Sequence, residues 1–299
     1  MDISVIGVPM DLGANRRGVD MGPSAIRYAG LDEELDANGH DCTDTGDLTV
    51  PRPEAMTEAP SGDRHAKYLD EMAAVCRRLQ ASVADTLADG EFPLVLGGDH
   101  SIAIGAAGGA ARERSIGVVW FDAHGDFNTP ATTLSGNVHG MSLAALLGRG
   151  EFADAEWAVA PSIDPSNVVL VGTRSLDDRE REALHESDVS VFTMYDIDER
   201  GAPAVVDEAL EIATEDTDGI HVSLDMDVLD PDEAPGVGTP VRGGVTYREA
   251  HSAMEAVADR LDSVRSMEVV EVNPVLDKHN RTAELAVELV ASALGKQIL

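Results

Sequence analysis

Hydrophobic and polar positions follow two rhythms along this chain. Short unbroken apolar runs occur at ISVIGVP (3–9), FPLVLGG (92–98), SIGVVWF (115–121), NVVLVG (167–172), VSVF (189–192), GIHVSLD (219–225) and VRSMEVVEV (264–272). Runs of this length, bounded by glycine, proline or charge, predict strands buried on both faces. Between them lie stretches rich in alanine and other helix formers: 64–89, ending at Gly90; the segment from Ser101, with that serine near its N-cap; MSLAALLG (141–148); 179–187; 202–213; the segment after Thr246; and the tail 282–294. These predict helices. Unbroken strand–helix alternation predicts an α/β fold with a mainly parallel sheet and helices on both faces. PRPEAMTEAPSG (51–62) reads as an exposed loop rather than a boundary, and no repeat interrupts the pattern, so residues 1–299 are expected to form a single domain.

Composition adds an unusual surface. With 43% hydrophobic residues in 299, a large core is available, yet 55 acidic residues against 22 basic ones leave a net charge of −33. Lys67, Lys278 and Lys296 are the only lysines. Such a surface repels nucleic acid and anionic membranes, so neither is an expected partner. Its self-repulsion should be relieved by screening, which predicts a halophilic, salt-rich setting. No stretch reaches the apolar length of a membrane span, and the opening residues MDISVIGVPMD lack a basic n-region. A soluble cytoplasmic protein is expected, with Cys42 and Cys76 as reduced thiols.

Candidate chemistry collects at the strand ends. Asp122-Ala-His124-Gly-Asp126 and Asp225-Met-Asp227 place ligand-type side chains at every second position, and Gly97-Gly98-Asp99-His100 follows a third strand. Alternate residues of an extended backbone point to one side, so each segment can aim its polar groups at one point. In open parallel sheets that point lies beyond the carboxyl ends of the strands. His100, Asp122, Arg174 to Asp177, Asp225 and Glu271 all fall there. His100, Asp122, His124, Asp126, Asp225 and Asp227 are therefore candidate metal ligands. Two imidazoles and four carboxylates suit a borderline-hard divalent ion such as Mn²⁺, with Fe²⁺, Co²⁺, Ni²⁺ or Zn²⁺ also compatible. Two ions, with four positive charges, would match four carboxylates. Asp99 reads as an orienting group rather than a ligand. His221, inside a strand, reads as a packed core histidine, while His40, His65, His185, His251 and His279 carry no signal.

GGDHS (97–101), DAHGDFN (122–128), SGNVHGM (135–141), SLDMDVLDP (223–231) and EVNP (271–274), with RRGVDMGPSAIR (16–27), resemble the signature blocks of the arginase/agmatinase (ureohydrolase) family. The resemblance spans nearly the whole chain. It implies a three-layer α/β/α fold with about eight strands, a binuclear manganese centre (two Mn²⁺ per subunit) and a homo-oligomer, trimeric or hexameric. It implies that one ion is held by His100, Asp122, Asp126 and Asp225, and the other by Asp122, His124, Asp225 and Asp227. By the same analogy Glu271 holds the substrate guanidinium, Asp126 is the first proton carrier and His139 the shuttle to solvent. Asn128, Ser135 and Asn137 resemble the family's substrate loop and offer neutral donors suited to a carboxylate. Asp177 and Glu180 could hold an ammonium, and Thr239 could line the guanidinium pocket. Arg179 stands where family members often carry glycine. A site with committed polar partners penalises a substrate lacking the matching group. The expected reaction is hydrolysis of L-arginine to L-ornithine and urea, with agmatine or another guanidino compound as the alternative substrate.

Overall fold

The computed structural model describes residues 1–14, 17–52 and 66–298, so Arg16, His65 and most of the 51–62 segment lie outside the described residues. Its frame is one sheet of eight parallel strands in the order β2-β1-β3-β8-β7-β4-β5-β6. The strands are β1 (Asp2–Val8), β2 (Asp41–Asp47), β3 (Phe92–Gly97), β4 (Gly117–Phe121), β5 (Val168–Thr173), β6 (Ser190–Thr193), β7 (Ile220–Asp225) and β8 (Val264–Val270). Seven coincide with the apolar runs. The eighth, β2, reads DCTDTGD and is mostly exposed. It forms through backbone pairing with β1, from Asp2↔Asp41 to Gly7↔Asp47, which needs no apolar side chains.

Helices α1 (Gly22–Tyr28), α2 (Leu31–Ala37), α3 (Leu69–Ala88), α4 (Ala103–Ala110), α5 (Ser142–Leu146), α6 (Asp178–His185), α7 (Met194–Arg200), α8 (Ala202–Thr214), α9 (Tyr247–Ala258) and α10 (Arg281–Ala293) cover the two faces. The period-2 rule explains how one strand feeds both layers. Leu94 and Leu96 pack with α1, α8, α9 and α10, whereas Val95 between them packs with α3 and α4. Val118 and Trp120 likewise face α4 and α5, and Val119 and Phe121 face the opposite layer. The result is the three-layer α/β/α arrangement.

Local signals place the ends. Thr246 closes a capping box with Glu249 at the start of α9. Ser101 is not the cap before α4. Asp99 accepts from its backbone N–H and begins the short 3-10 turn His100–Ile102. Beyond the strands the backbone is tied down: Gly98 N–H donates to Val8 O, Asp99 N–H to Met10 O, and Glu271 N–H to Gly98 O. Gly98 has to be glycine, because a Cβ there would lie 1.9 Å from Met10 O. Cys42 and Cys76 are free thiols. Among the described residues, no helix is long and apolar enough to cross a membrane.

Candidate metal centre and active site

Among the four adjacent central strands β3, β8, β7 and β4, three (β3, β7 and β4) deliver the candidate ligands to one pit at their carboxyl ends, and β8 brings Glu271 beside it. His100 Nδ1 lies 3.1 Å from Asp122 Oδ2, Asp126 Oδ2 and Asp225 Oδ2. His124 Nδ1 lies 3.1 Å from Asp227 Oδ2 and 3.4 Å from Asp122 Oδ1. Asp122 thus offers one oxygen to each set. Asp225 reaches the first set through Oδ2, while its Oδ1 accepts from Asp227 N–H at 2.7 Å. Its place in the second set rests on the resemblance.

Asp126 adopts φ 48° and Glu271 φ 63°, left-handed values that a non-glycine residue tolerates only where surroundings impose them. The Asp126 carbonyl is held by the N–H groups of Leu143 and Ala144, at the start of α5.

The donor chemistry fits divalent cations. An octahedral ion about 2.1 Å from each donor spaces neighbouring ligands by about 3 Å, as these side chains are spaced. His100 Nδ1 and Asp126 Oδ2 are buried without a hydrogen-bond partner, an arrangement that costs free energy until something fills the pit. Electrostatics agrees. Burial pushes the Asp126 carboxyl up to about 6, helped by the neighbouring Asp122 charge. Asp225 is raised well above the carboxylate range by burial and by Asp227 and Asp122. Burial alone would depress His100, but Asp122, Asp126 and Asp225 outweigh it and hold the ring well above its ordinary value. The pit calls for positive charge.

Sequence reasoning missed the groups behind the ligands. Trp120 stacks on His100 with ring centroids 4.2 Å apart, and its indole N–H donates to Asp122 Oδ2 at 3.0 Å. Ser223 Oγ lies 2.7 Å from His100 Nε2. Both sit two residues before a ligand, so the alternation that found the ligands could have found them. Asp99 orients as expected, accepting from Gly13 N–H at 2.7 Å and Ser101 N–H at 3.0 Å. Arg174 does not enter the pit. Its guanidinium donates to the carbonyls of Gly172, Asp227, Val228, Leu229 and Val241, fastening the loop after β7 to the loop that carries Thr239.

Above the pit lies a cavity of about 240 Å³ walled by His139, Asn128, Asp177, Glu180, Ser175 and Thr239, among others. It adjoins a second chamber of about 410 Å³ that shares His124, His139 and Thr239 and includes Glu271. His139 Nδ1 donates to Glu271 Oε1 at 3.0 Å. Burial opposes that charge, yet the Glu271 carboxylate pushes the imidazole up to about 9, so it carries a proton at neutral pH. Glu271 Oε1 also accepts from His100 N–H, leaving Oε2 unpartnered. Thr239 Oγ1 donates to Asp227 Oδ2 at 2.9 Å.

The expected substrate loop divides. Asn128 lines the cavity and donates to Asp177 Oδ2 at 2.9 Å. Ser135 is exposed, and Asn137 is buried with its Oδ1 accepting from Lys67 Nζ at 2.8 Å; neither is among the cavity's lining residues. Asp177 caps α6, accepting from Arg179 N–H and Glu180 N–H, so Arg179 sits in a helical turn that needs no glycine.

Glu180 accepts from Phe127 N–H at 2.9 Å and is raised to about 8, chiefly by burial. An unfolded glutamate titrates near about 4.3, so between roughly that pH and 8 the folded metal-free chain binds the extra proton and loses stability as pH rises. Glu180→Gln should flatten this slope in thermal unfolding with EDTA. An unchanged slope would contradict the assignment.

A parallel α/β sheet with an acidic, imidazole-bearing pit beyond its central strands defines the class: an α/β protein with a cluster of candidate cation ligands beside a polar cavity. The sequence profile of the arginase family matches residues 1–295. The chain is 49% identical to the arginase of Bacillus caldovelox over 299 residues, covering 99% of each, and 50% identical to that of Brevibacillus brevis, covering 100% and 99%. Its fold superposes on the solved native B. caldovelox arginase with a TM-score of 0.93 and 48% identity, covering 100% of this chain and 99% of that one. The chain belongs to the arginase family.

Proposed function

We propose that this protein is a manganese-dependent arginase that hydrolyses L-arginine to L-ornithine and urea. The observation that carries the reading is Asp122, whose two oxygens face two imidazole–carboxylate sets at the floor of a cavity walled by Asn128, Asp177 and Glu180. His100, Asp122, Asp126 and Asp225 would hold one ion, and Asp122, His124, Asp225 and Asp227 the other. When bound, the pair supplies the positive charge that makes water a competent nucleophile near neutral pH.

The chain's own residues do the rest. The substrate guanidinium stays protonated, and the unpartnered Oε2 of Glu271 is a carboxylate acceptor suited to it. Asp126, whose Oδ2 faces the pit beside His100, takes the proton released as water attacks the guanidinium carbon. The tetrahedral carbon then loses its alkylamine, which must leave protonated, and His139 exchanges that proton with solvent. Asp177 and Glu180 face the α-ammonium. Asn128, which lines the cavity, serves the α-carboxylate, while Ser135 and Asn137, outside that lining, shape the loop, and Thr239 steadies Asp227. Agmatine lacks the carboxylate but keeps an ammonium, so the neutral loop is the discriminator. Urea release should be far higher with arginine than with agmatine or guanidinobutyrate in Mn²⁺ and high salt. Better turnover of agmatine would overturn the substrate assignment.

The acidic surface supports a cytoplasmic, halophilic protein, and the resemblance supports a trimer or hexamer. Between low and molar KCl the EDTA-treated protein should gain about 10 °C in unfolding midpoint, or roughly 3–5 kcal/mol of relieved repulsion for a large domain. A flat response would exclude the halophilic reading.

A further inference from the structure

We infer that Glu268 is a positioning residue for the metal centre: acting through Ser223, it fixes which nitrogen of His100 carries the proton and leaves the other free to face a cation. The inference rests on the cation reading above. Ser223 and Glu268 are register partners on β7 and β8, so their side chains share a face of the sheet. Ser223 Oγ donates to Glu268 Oε1 at 2.7 Å and lies 2.7 Å from His100 Nε2. A hydroxyl has one hydrogen. With that hydrogen committed to Glu268, Ser223 can only accept from His100, so Nε2 carries the proton. Nδ1 is then the ring atom offered to the pit, 3.1 Å from three carboxylate oxygens and with no hydrogen-bond partner. If Glu268 is removed, the hydroxyl can turn and donate to Nε2. That stabilises the opposite tautomer, whose Nδ1–H blocks a cation.

The residue's surroundings argue that folding alone does not call for it. Glu268 is fully buried in a central strand, its Oε2 has no partner, and its Oε1 is 3.4 Å from His221 Nε2. His221 in turn meets Ser266 Oγ at 2.8 Å. A buried carboxylate so sparsely satisfied is costly, and an apolar side chain of similar volume is often more stable in such a place. Expensive polar groups of this kind behind a metal-bound imidazole set its orientation.

The test uses the whole chain, with Mn²⁺ content and affinity measured by equilibrium dialysis and the unfolding midpoint measured in EDTA. Glu268→Leu should weaken the ion held by His100 by about 10–100-fold, so that one ion rather than two survives dialysis. The metal-free midpoint should stay level or rise. Glu268→Gln, which still offers Ser223 an oxygen, should recover most of the affinity. Ser223→Ala should repeat the loss, and the double variant should be no worse than either single one. Two tightly held ions in Glu268→Leu, or additive losses in the double variant, would overturn the inference while leaving the metal site standing. A wild-type protein that binds no divalent ion would overturn both.

Discussion

Asp122→Ala should empty both halves of the pit and reduce urea release to the uncatalysed background. Its two oxygens lie 3.1 Å from His100 Nδ1 and 3.4 Å from His124 Nδ1, so the substitution removes a donor from each set at once. The remaining carboxylates, Asp126, Asp225 and Asp227, cannot replace it, because each is already committed as a ligand in the proposed sets. Elemental analysis after dialysis should find no bound manganese. Turnover should fall by about 10⁴-fold or more, roughly 5 kcal/mol or more of transition-state stabilisation at about 1.4 kcal/mol per decade. Asp227→Ala should cost metal occupancy and nearly all activity too, but because Asp227 belongs to the His124 set alone, the ion near His100 should be the better retained. Two ions surviving in Asp122→Ala would refute the shared-ligand assignment.

His139→Ala should behave in the opposite way, keeping the metal and losing the chemistry. The imidazole lines both cavities and is fastened to Glu271 rather than to the carboxylates of the pit. Because Glu271 keeps it protonated at neutral pH, it holds a proton where an alkylamine must acquire one. Loss of positioned proton transfer typically costs about 10²–10⁴-fold in rate. Manganese content should be unchanged, and loss of metal in this variant would mean that His139 has a different role. His139→Ala also takes from the nearly fully buried Glu271 its side-chain donor, leaving only the His100 N–H, so His139→Asn serves as the control for folding.

Much of this site was legible in the sequence because its candidate ligands recur at every second position just past strand ends. The backbone there is not extended throughout: Asp227 lies in the 3-10 turn Met226–Val228 and Asp126 is left-handed. Asp122, His124 and Asp126, then Asp225 and Asp227, declare themselves by spacing, and continuous apolar runs mark the strands that carry them. What stayed hidden depends on register. Glu268 and Ser223 lie 45 residues apart and meet only because β7 and β8 pair in one alignment. β2 was unreadable for another reason: an edge strand held by backbone bonds can be made of aspartate, threonine and glycine. Ser135 and Asn137 sit close to His139 in sequence, yet one is exposed and the other is engaged by Lys67, a partner 70 residues away. Arg174, grouped with the polar strand ends, turns instead to five carbonyls that loop closure brings together.

The indole stacked on His100 has one more consequence. Trp120 and Trp157 are the only tryptophans in the chain, and Trp120 is fully buried against a ring whose charge depends on what fills the pit. In the metal-free protein the surrounding carboxylates favour a protonated ring, and a bound cation would take the proton's place. The emission of Trp120 should therefore follow the loading of the pit directly. With Trp157→Phe removing the background, the protein carries a label-free optical gauge of its own metal content that is independent of turnover.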